Sequence, residues 1–108
     1  MSEAEVIRAL AALAHPLRLQ IFRALVVVGP EGLTPGAIVG GVQVPPATLS
    51  FHLKELANAG LVTQVRSGRH LIYRAAYDRM DGLVAYLTDN CCQAAGCAVE
   101  PAAAGRGC

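Results

Sequence analysis

The side chains best suited to chemistry are four cysteines, and all of them lie from residue 91 onward: Cys91, Cys92, Cys97 and Cys108. Thiolates are soft donors suited to thiophilic ions, structural zinc usually takes four nitrogen or sulfur ligands, and hard cations take oxygen. Trivalent arsenic or antimony keeps a lone pair and is satisfied by three thiolates in a pyramid. Three closely spaced cysteines with no histidine nearby fit that demand. Cys91 and Cys92 cannot face one point on a regular helix, and Cys97 would point elsewhere again. The preceding helix must therefore end near Asn90, and Gly96 lets the chain fold back. Cys108 is separated from Cys97 by a long loop and closes a site at greater entropic cost, which leaves Cys91, Cys92 and Cys97 as the candidate ligands. A fourth thiolate would move the chemistry toward Zn(II) or Cd(II). Neighbouring thiols can also form a regulatory disulfide. The competing reading is an incidental, frayed tail whose cysteines oxidise in air. A thiol oxidoreductase would need Cys-x-x-Cys in a βαβ setting; the sequence contains neither, and no enzymatic activity is expected.

The elements that must position these thiols are read from periodicity and punctuation. Ser2 with Glu5 makes a capping box, and Val6, Ile7, Leu10, Leu13 and Ala14 recur at helical spacing over 2–14. His15-Pro16 breaks that helix and opens a second, with Leu17, Ile21, Leu25 and Val28 on a buried face and Gly29-Pro30 at its end. Thr34-Pro35 caps a short third helix over 36–41. A fourth follows Pro45-Pro46 and runs over 46–59 to a left-handed cap at Gly60. Segments 61–66 and 70–75, separated by Ser67-Gly68, read as a β-hairpin. A last helix over 77–90 carries Met80, Leu83, Val84 and Leu87 on one stripe. Beyond it the composition turns to Ala, Gly and Pro with little to bury. The expected organisation is one domain over 1–90 and a flexible, cysteine-containing tail over 91–108 that carries the effector site.

The expected fold is α+β, mostly α: a winged helix-turn-helix of five helices and a two-stranded wing. At 108 residues there is room for one modest core. The start of the chain is acidic and unlike a secretory signal, and the longest apolar stretches are far too short to span a bilayer, so a cytoplasmic protein without a membrane partner is expected. Net charge is only +1, yet from Val44 to Met80 the basic residues Lys54, Arg66, Arg69, Arg74 and Arg79 face only Glu55 and Asp78. From Asp81 onward the balance is acidic. A basic middle is a weak footprint of a polyanion partner.

A helix-turn-helix lays its second helix in the major groove. At about 100° per residue, Leu49, Leu53, Leu56 and Gly60 share one face of helix 46–59, while Ala47, Phe51, Lys54, Glu55 and Asn58 share the other. Phe51 thus points away from its own core, toward a thymine methyl or sugar, or toward a neighbouring loop. Thr48, Ser50 and His52 stand near the helix start, where phosphates and base edges approach. For His52, at the edge of the apolar stripe, a hydrogen bond flanking the core competes with a phosphate contact. Arg66, Arg69 and His70 surround the hairpin tip and suit the minor groove or flanking phosphates; discouragement of edge pairing would also charge a hairpin.

Three segments carry a resemblance: Leu13-Ala14-His15-Pro16-Leu17-Arg18-Leu19-Gln20-Ile21; 48–62, with Ser50-Phe51-His52-Leu53 and Ala59-Gly60-Leu61-Val62; and Arg66-Ser67-Gly68-Arg69-His70-Leu71-Ile72-Tyr73-Arg74. Over most of 5–90 the chain resembles the ArsR/SmtB family of metal-responsive winged-helix repressors. The resemblance implies a homodimer built from the first and last helices, a recognition helix at 46–59, a wing at 62–75, and release of double-stranded operator DNA when an inducer binds. Many arsenite- and cadmium-sensing members carry Cys-x-Cys before the recognition helix, where this chain has Leu33-Thr34-Pro35-Gly36. Zinc-sensing members use Asp and His on the last helix, and 77–90 holds no His. Asn90-Cys91-Cys92 with Cys97 resembles instead a smaller arsenic-responsive branch whose thiols follow the dimerisation helix. The inducer implied is As(III), with Sb(III) as a companion and no organic cofactor. The alternative is a redox-sensing or Cd/Zn-sensing repressor using the same cysteines.

Overall fold

The first four helices begin where the sequence supplies an acceptor or a proline, and the last begins after Ala76 with no side-chain cap. In a computed structural model, which describes residues 1–94, α1 (Glu3–Leu13) opens on a complete capping box. The Glu5 N–H donates to Ser2 Oγ at 3.1 Å and the Ser2 N–H donates to Glu5 Oε1 at 2.8 Å. The Glu5 carboxylate also accepts from Arg79 Nη1 at 2.9 Å, which ties α1 to α5 (Tyr77–Thr88). The backbone bond from Ser2 and the Arg79 guanidinium hold the Glu5 carboxyl down at about 2.

Helix α2 (Pro16–Val28) is capped by His15, whose Nδ1 accepts the Leu17 N–H at 3.2 Å. Helix α3 (Pro35–Val42) is capped by Thr34 and stopped by Gln43 in the left-handed region. Helix α4 (Pro46–Asn58) ends in a pair of hydrogen bonds, from Gly60 N–H to Ala57 O and from Leu61 N–H to Leu56 O. That pattern requires the positive φ of Gly60, +77°. It also places Leu56 and Leu61, both fully buried, against the core.

Strands β1 (Val62–Ser67) and β2 (His70–Ala75) pair antiparallel from Val62↔Ala75 to Ser67↔His70, turning through Gly68 and Arg69. Gly68, at φ +63°, fills the first central position, as a two-residue hairpin turn of the II′ kind needs. The hairpin has a further partner that the sequence does not reveal. Leu33 exchanges both backbone bonds with Tyr73 at 2.8 and 2.9 Å, and Arg74 Nε donates to Pro30 O at 2.6 Å. Gly32 makes this approach possible, since a Cβ there would lie 2.5 Å from Tyr73 O. Arg74 therefore anchors the turn between α2 and α3 and leaves the tip charge to Arg66 and Arg69.

The largest fully buried side chains of the core are Ile21, Leu25, Ile38, Val44, Leu49, Leu56 and Leu61, drawn from α2, α3, α4 and the connections that flank them. The expected helices and hairpin are all present, but the face of α1 is rotated from expectation. Val6, Ala9 and Ala12 turn inward, while Ile7 and Leu10 are exposed at 59% and 42%. Small alanines allow α1 to pack closely, and its larger apolar side chains are left outside. On α5, Leu83 is buried, whereas Leu87 of the expected stripe is exposed, as is Tyr86. The helix stops at Thr88, with Asp89 extended and Asn90 left-handed, close to the stop that convergence of the thiols requires. No single helix among the described residues is long and apolar enough to cross a membrane.

Candidate nucleic-acid interface

Helix α4 divides its side chains as a 100° rotation per residue dictates. Leu49, Leu53 and Leu56 are buried; Ala47, Ser50, Phe51, Lys54 and Asn58 are exposed, and Thr48 and Glu55 are half-buried. Phe51, at 55% exposure, is a large apolar ring on the outer face. Ser50, Lys54 and Asn58 face Gln64 and Tyr73 of the wing across a cleft of about 280 Å³. The wing adds Arg66, Arg69 and His70, all exposed, which border a groove of about 500 Å³ with Thr34, Pro35 and Gly36 at the start of α3. Among the described residues the only ion pair is Glu5–Arg79, so Lys54, Arg66 and Arg69 remain available to a polyanion.

His52 departs from this set. Its ring is 4% exposed, its Nδ1 accepts from Arg18 Nε at 3.1 Å, and its centroid lies 4.6 Å from that of His15. Burial, then the nearby His15 and Arg18 charges, push its pKa below the ordinary 6.5, against a smaller opposing effect of Glu55. The phosphate contact weighed for His52 gives way to the core-flanking bond, because a ring with almost no surface cannot reach a phosphate. Arg18 joins the site although the sequence did not single it out. It lies in the Leu13–Ile21 segment, and its guanidinium is 5.5 Å from the Phe51 ring centre as well as bonded to His52. A basic residue three positions beyond a histidine helix cap was the available signal.

Cys91 and Cys92 are exposed in the turn after α5, where Cys91 N–H donates to Thr88 O at 3.0 Å. Cys92 has φ +62°, and the two sulfurs are 3.3 Å apart. Adjacent thiols that would diverge on a helix thus converge within reach of one thiophilic ion. Cys97 and Cys108 lie outside the described residues, and among those described no group of three His, Cys, Asp or Glu side chains could hold a metal.

A helix pair presenting an exposed recognition face, flanked by a basic two-stranded wing, defines a winged helix-turn-helix DNA-binding transcriptional regulator. A helix-turn-helix domain family matches residues 13–65. A homodimeric winged helix-turn-helix DNA-binding domain from Mycobacterium bovis, described as a possible ArsR-family regulator, is 31% identical, with 83% of this chain and 89% of that one covered and a TM-score of 0.63. An ArsR-like transcriptional regulator from Rhodococcus sp. is 27% identical over 78% of this chain and 76% of its own, with a TM-score of 0.70. A possible transcriptional regulator for arsenical resistance is 26% identical over 73% and 79%, with a TM-score of 0.63. No protein of curated function matches the chain by sequence. The chain belongs to the ArsR-like family of winged helix-turn-helix transcriptional regulators.

Proposed function

We propose that this protein is an As(III)-responsive repressor that holds operator DNA as a homodimer and releases it when three tail thiolates capture the ion. The observation that carries the reading is the convergence of the Cys91 and Cys92 sulfurs, 3.3 Å apart, immediately after α5. Cys97 is the third ligand, and Sb(III) would be accepted on the same chemistry. The similarity to a possible regulator for arsenical resistance supports the choice of ion. Exposed Ile7 and Leu10 on α1, with Tyr86 and Leu87 on α5, support dimerisation through the first and last helices, as does the homodimeric state of the Mycobacterium bovis relative. The DNA-facing set is Thr48, Ser50, Phe51 and Lys54 from α4 with Arg66, Arg69 and His70 from the wing. Residues 91–108 act as the effector segment of a cytoplasmic protein whose domain is 1–90.

Ordering of the thiolates around As(III) beside α5 biases the dimer against the spacing of two major-groove half-sites. Allosteric couplings of about 1–3 kcal/mol are typical and lower affinity by roughly 5- to 150-fold. The sulfur separation also favours a second reading, in which oxidation of the vicinal thiols triggers the same release. Fluorescence anisotropy of promoter DNA, titrated with As(III), Sb(III), Cd(II) and Zn(II) under reductant, separates the two. As(III) should release DNA from the native chain and from Cys108→Ser, but not from Cys91→Ser, Cys92→Ser or Cys97→Ser. Release only on oxidation, or loss of response in Cys108→Ser alone, would overturn the assignment.

A further inference from the structure

Where α2 meets α4, three residues outside the DNA-facing set, His15, Arg18 and His52, cluster behind Phe51, which belongs to it. Arg18 only donates, so the 3.1 Å bond from its Nε requires His52 Nδ1 to be without a proton. The same guanidinium sits 5.5 Å from the centre of the exposed Phe51 ring, so one side chain of α2 grips both an inner and an outer residue of the recognition helix. His15 completes the cluster, with its ring 4.6 Å from His52 while its own Nδ1 caps α2. We infer that Arg18 is a positioning residue for DNA reading, which holds the outer face of α4 through His52 and Phe51 and does so only while His52 is neutral.

The inference rests on the DNA-contact reading of α4 given above. The groups facing His52 are His15 and Arg18 from the α2 side and Glu55 one turn along α4. Arg8 of α1 lines the same cleft as Arg18 and Glu55. Helix α3 carries no titratable side chain, and the one charge on β1 is Arg66, near the wing tip. A proton on Nδ1 would abolish the Arg18 bond and set a second positive charge against the guanidinium, with Glu55 alone to offset it. The burial that disfavours this charge places its titration on the acid side of an ordinary histidine. Acidification therefore weakens the clasp and with it the affinity for DNA. An exposed histidine at the wing, such as His70, has the opposite sign, since its charge would strengthen phosphate binding.

The test uses the full-length chain under reductant and a labelled duplex of its own promoter, with affinity measured between about pH 8 and pH 5.5. The reference is His52→Gln, whose amide oxygen can accept the Arg18 bond without titrating. Native protein should lose roughly two- to fivefold in affinity relative to His52→Gln across this range, a part of the tenfold limit that one pKa unit of coupling sets. Arg18→Ala should bind about tenfold more weakly than native protein at the upper pH, with an unchanged salt slope, because Arg18 positions α4 and does not touch phosphate. Parallel pH profiles for native and His52→Gln protein, or a shallower salt slope in Arg18→Ala, would overturn the inference. NMR titration of the His52 imidazole without DNA gives an independent arm. Arg18→Ala should raise its pKa, and an unmoved titration refutes the clasp even if no duplex binds, the result that would instead refute the DNA reading.

Discussion

Phe51 and His52 are neighbours in sequence and opposites in environment. One helical step carries the phenyl ring out to 55% exposure and the imidazole in to 4%. Apolarity and polarity are each on the less expected side, and the reason is Arg18, which gives the buried imidazole a hydrogen-bond donor and the exposed ring a cation. Truncation of two apolar side chains of α4, one inner and one outer, should therefore separate binding from stability. Leu56→Ala, in a fully buried site, should lower unfolding free energy by about 2–5 kcal/mol. Phe51→Ala should change it by less than about 1 kcal/mol while weakening DNA binding. Urea denaturation with anisotropy on the same samples checks both. The helical spacing made this partition legible, but it could not say that His52 would be buried with a partner, because Arg18 is 34 positions away in sequence.

Among the elements, the wing shows how little of its placement is local. Its strands and turn were readable from alternation and from Ser67-Gly68. Its attachment to the rest of the domain rests on Leu33 pairing with Tyr73 and on Arg74 reaching Pro30. That attachment removes Arg74 from the tip and leaves Arg66, Arg69 and His70 to face a ligand. Arg69→Ala takes away a charge that would neutralise phosphate, and should weaken binding to all duplexes alike. The plot of log affinity against log salt should become shallower by about 0.9 for each phosphate that is no longer neutralised. An unchanged slope would show that the wing does not meet phosphate.

At the scale of the molecule, the chain leaves Ile7, Leu10, Tyr86 and Leu87 exposed on its first and last helices. The Glu5–Arg79 ion pair ties these helices together at the surface. A charge on that apolar surface should separate subunits without disturbing the core. Ile7→Glu should halve the mass seen by sedimentation equilibrium while the helical circular dichroism stays unchanged. A dimer of unaltered mass would place the interface elsewhere.

Sequence by itself determined the elements and their ends, because caps, prolines, glycines and hydrophobic period act over a few residues: Ser2 with Glu5, Thr34, Pro16, Pro46 and Gly60 are all used as their types suggest. It also identified the basic wing tip and the outward Phe51. Tertiary structure alone decided which side of α1 is buried, since the choice between Ala9 and Ile7 depends on how closely neighbouring helices approach. It also decided that His52 belongs to an internal clasp and that Arg74 is structural. The convergence of Cys91 and Cys92 lies between the two. The need for a helix stop was readable from spacing, but the left-handed turn that brings the sulfurs to 3.3 Å is a property of the folded backbone.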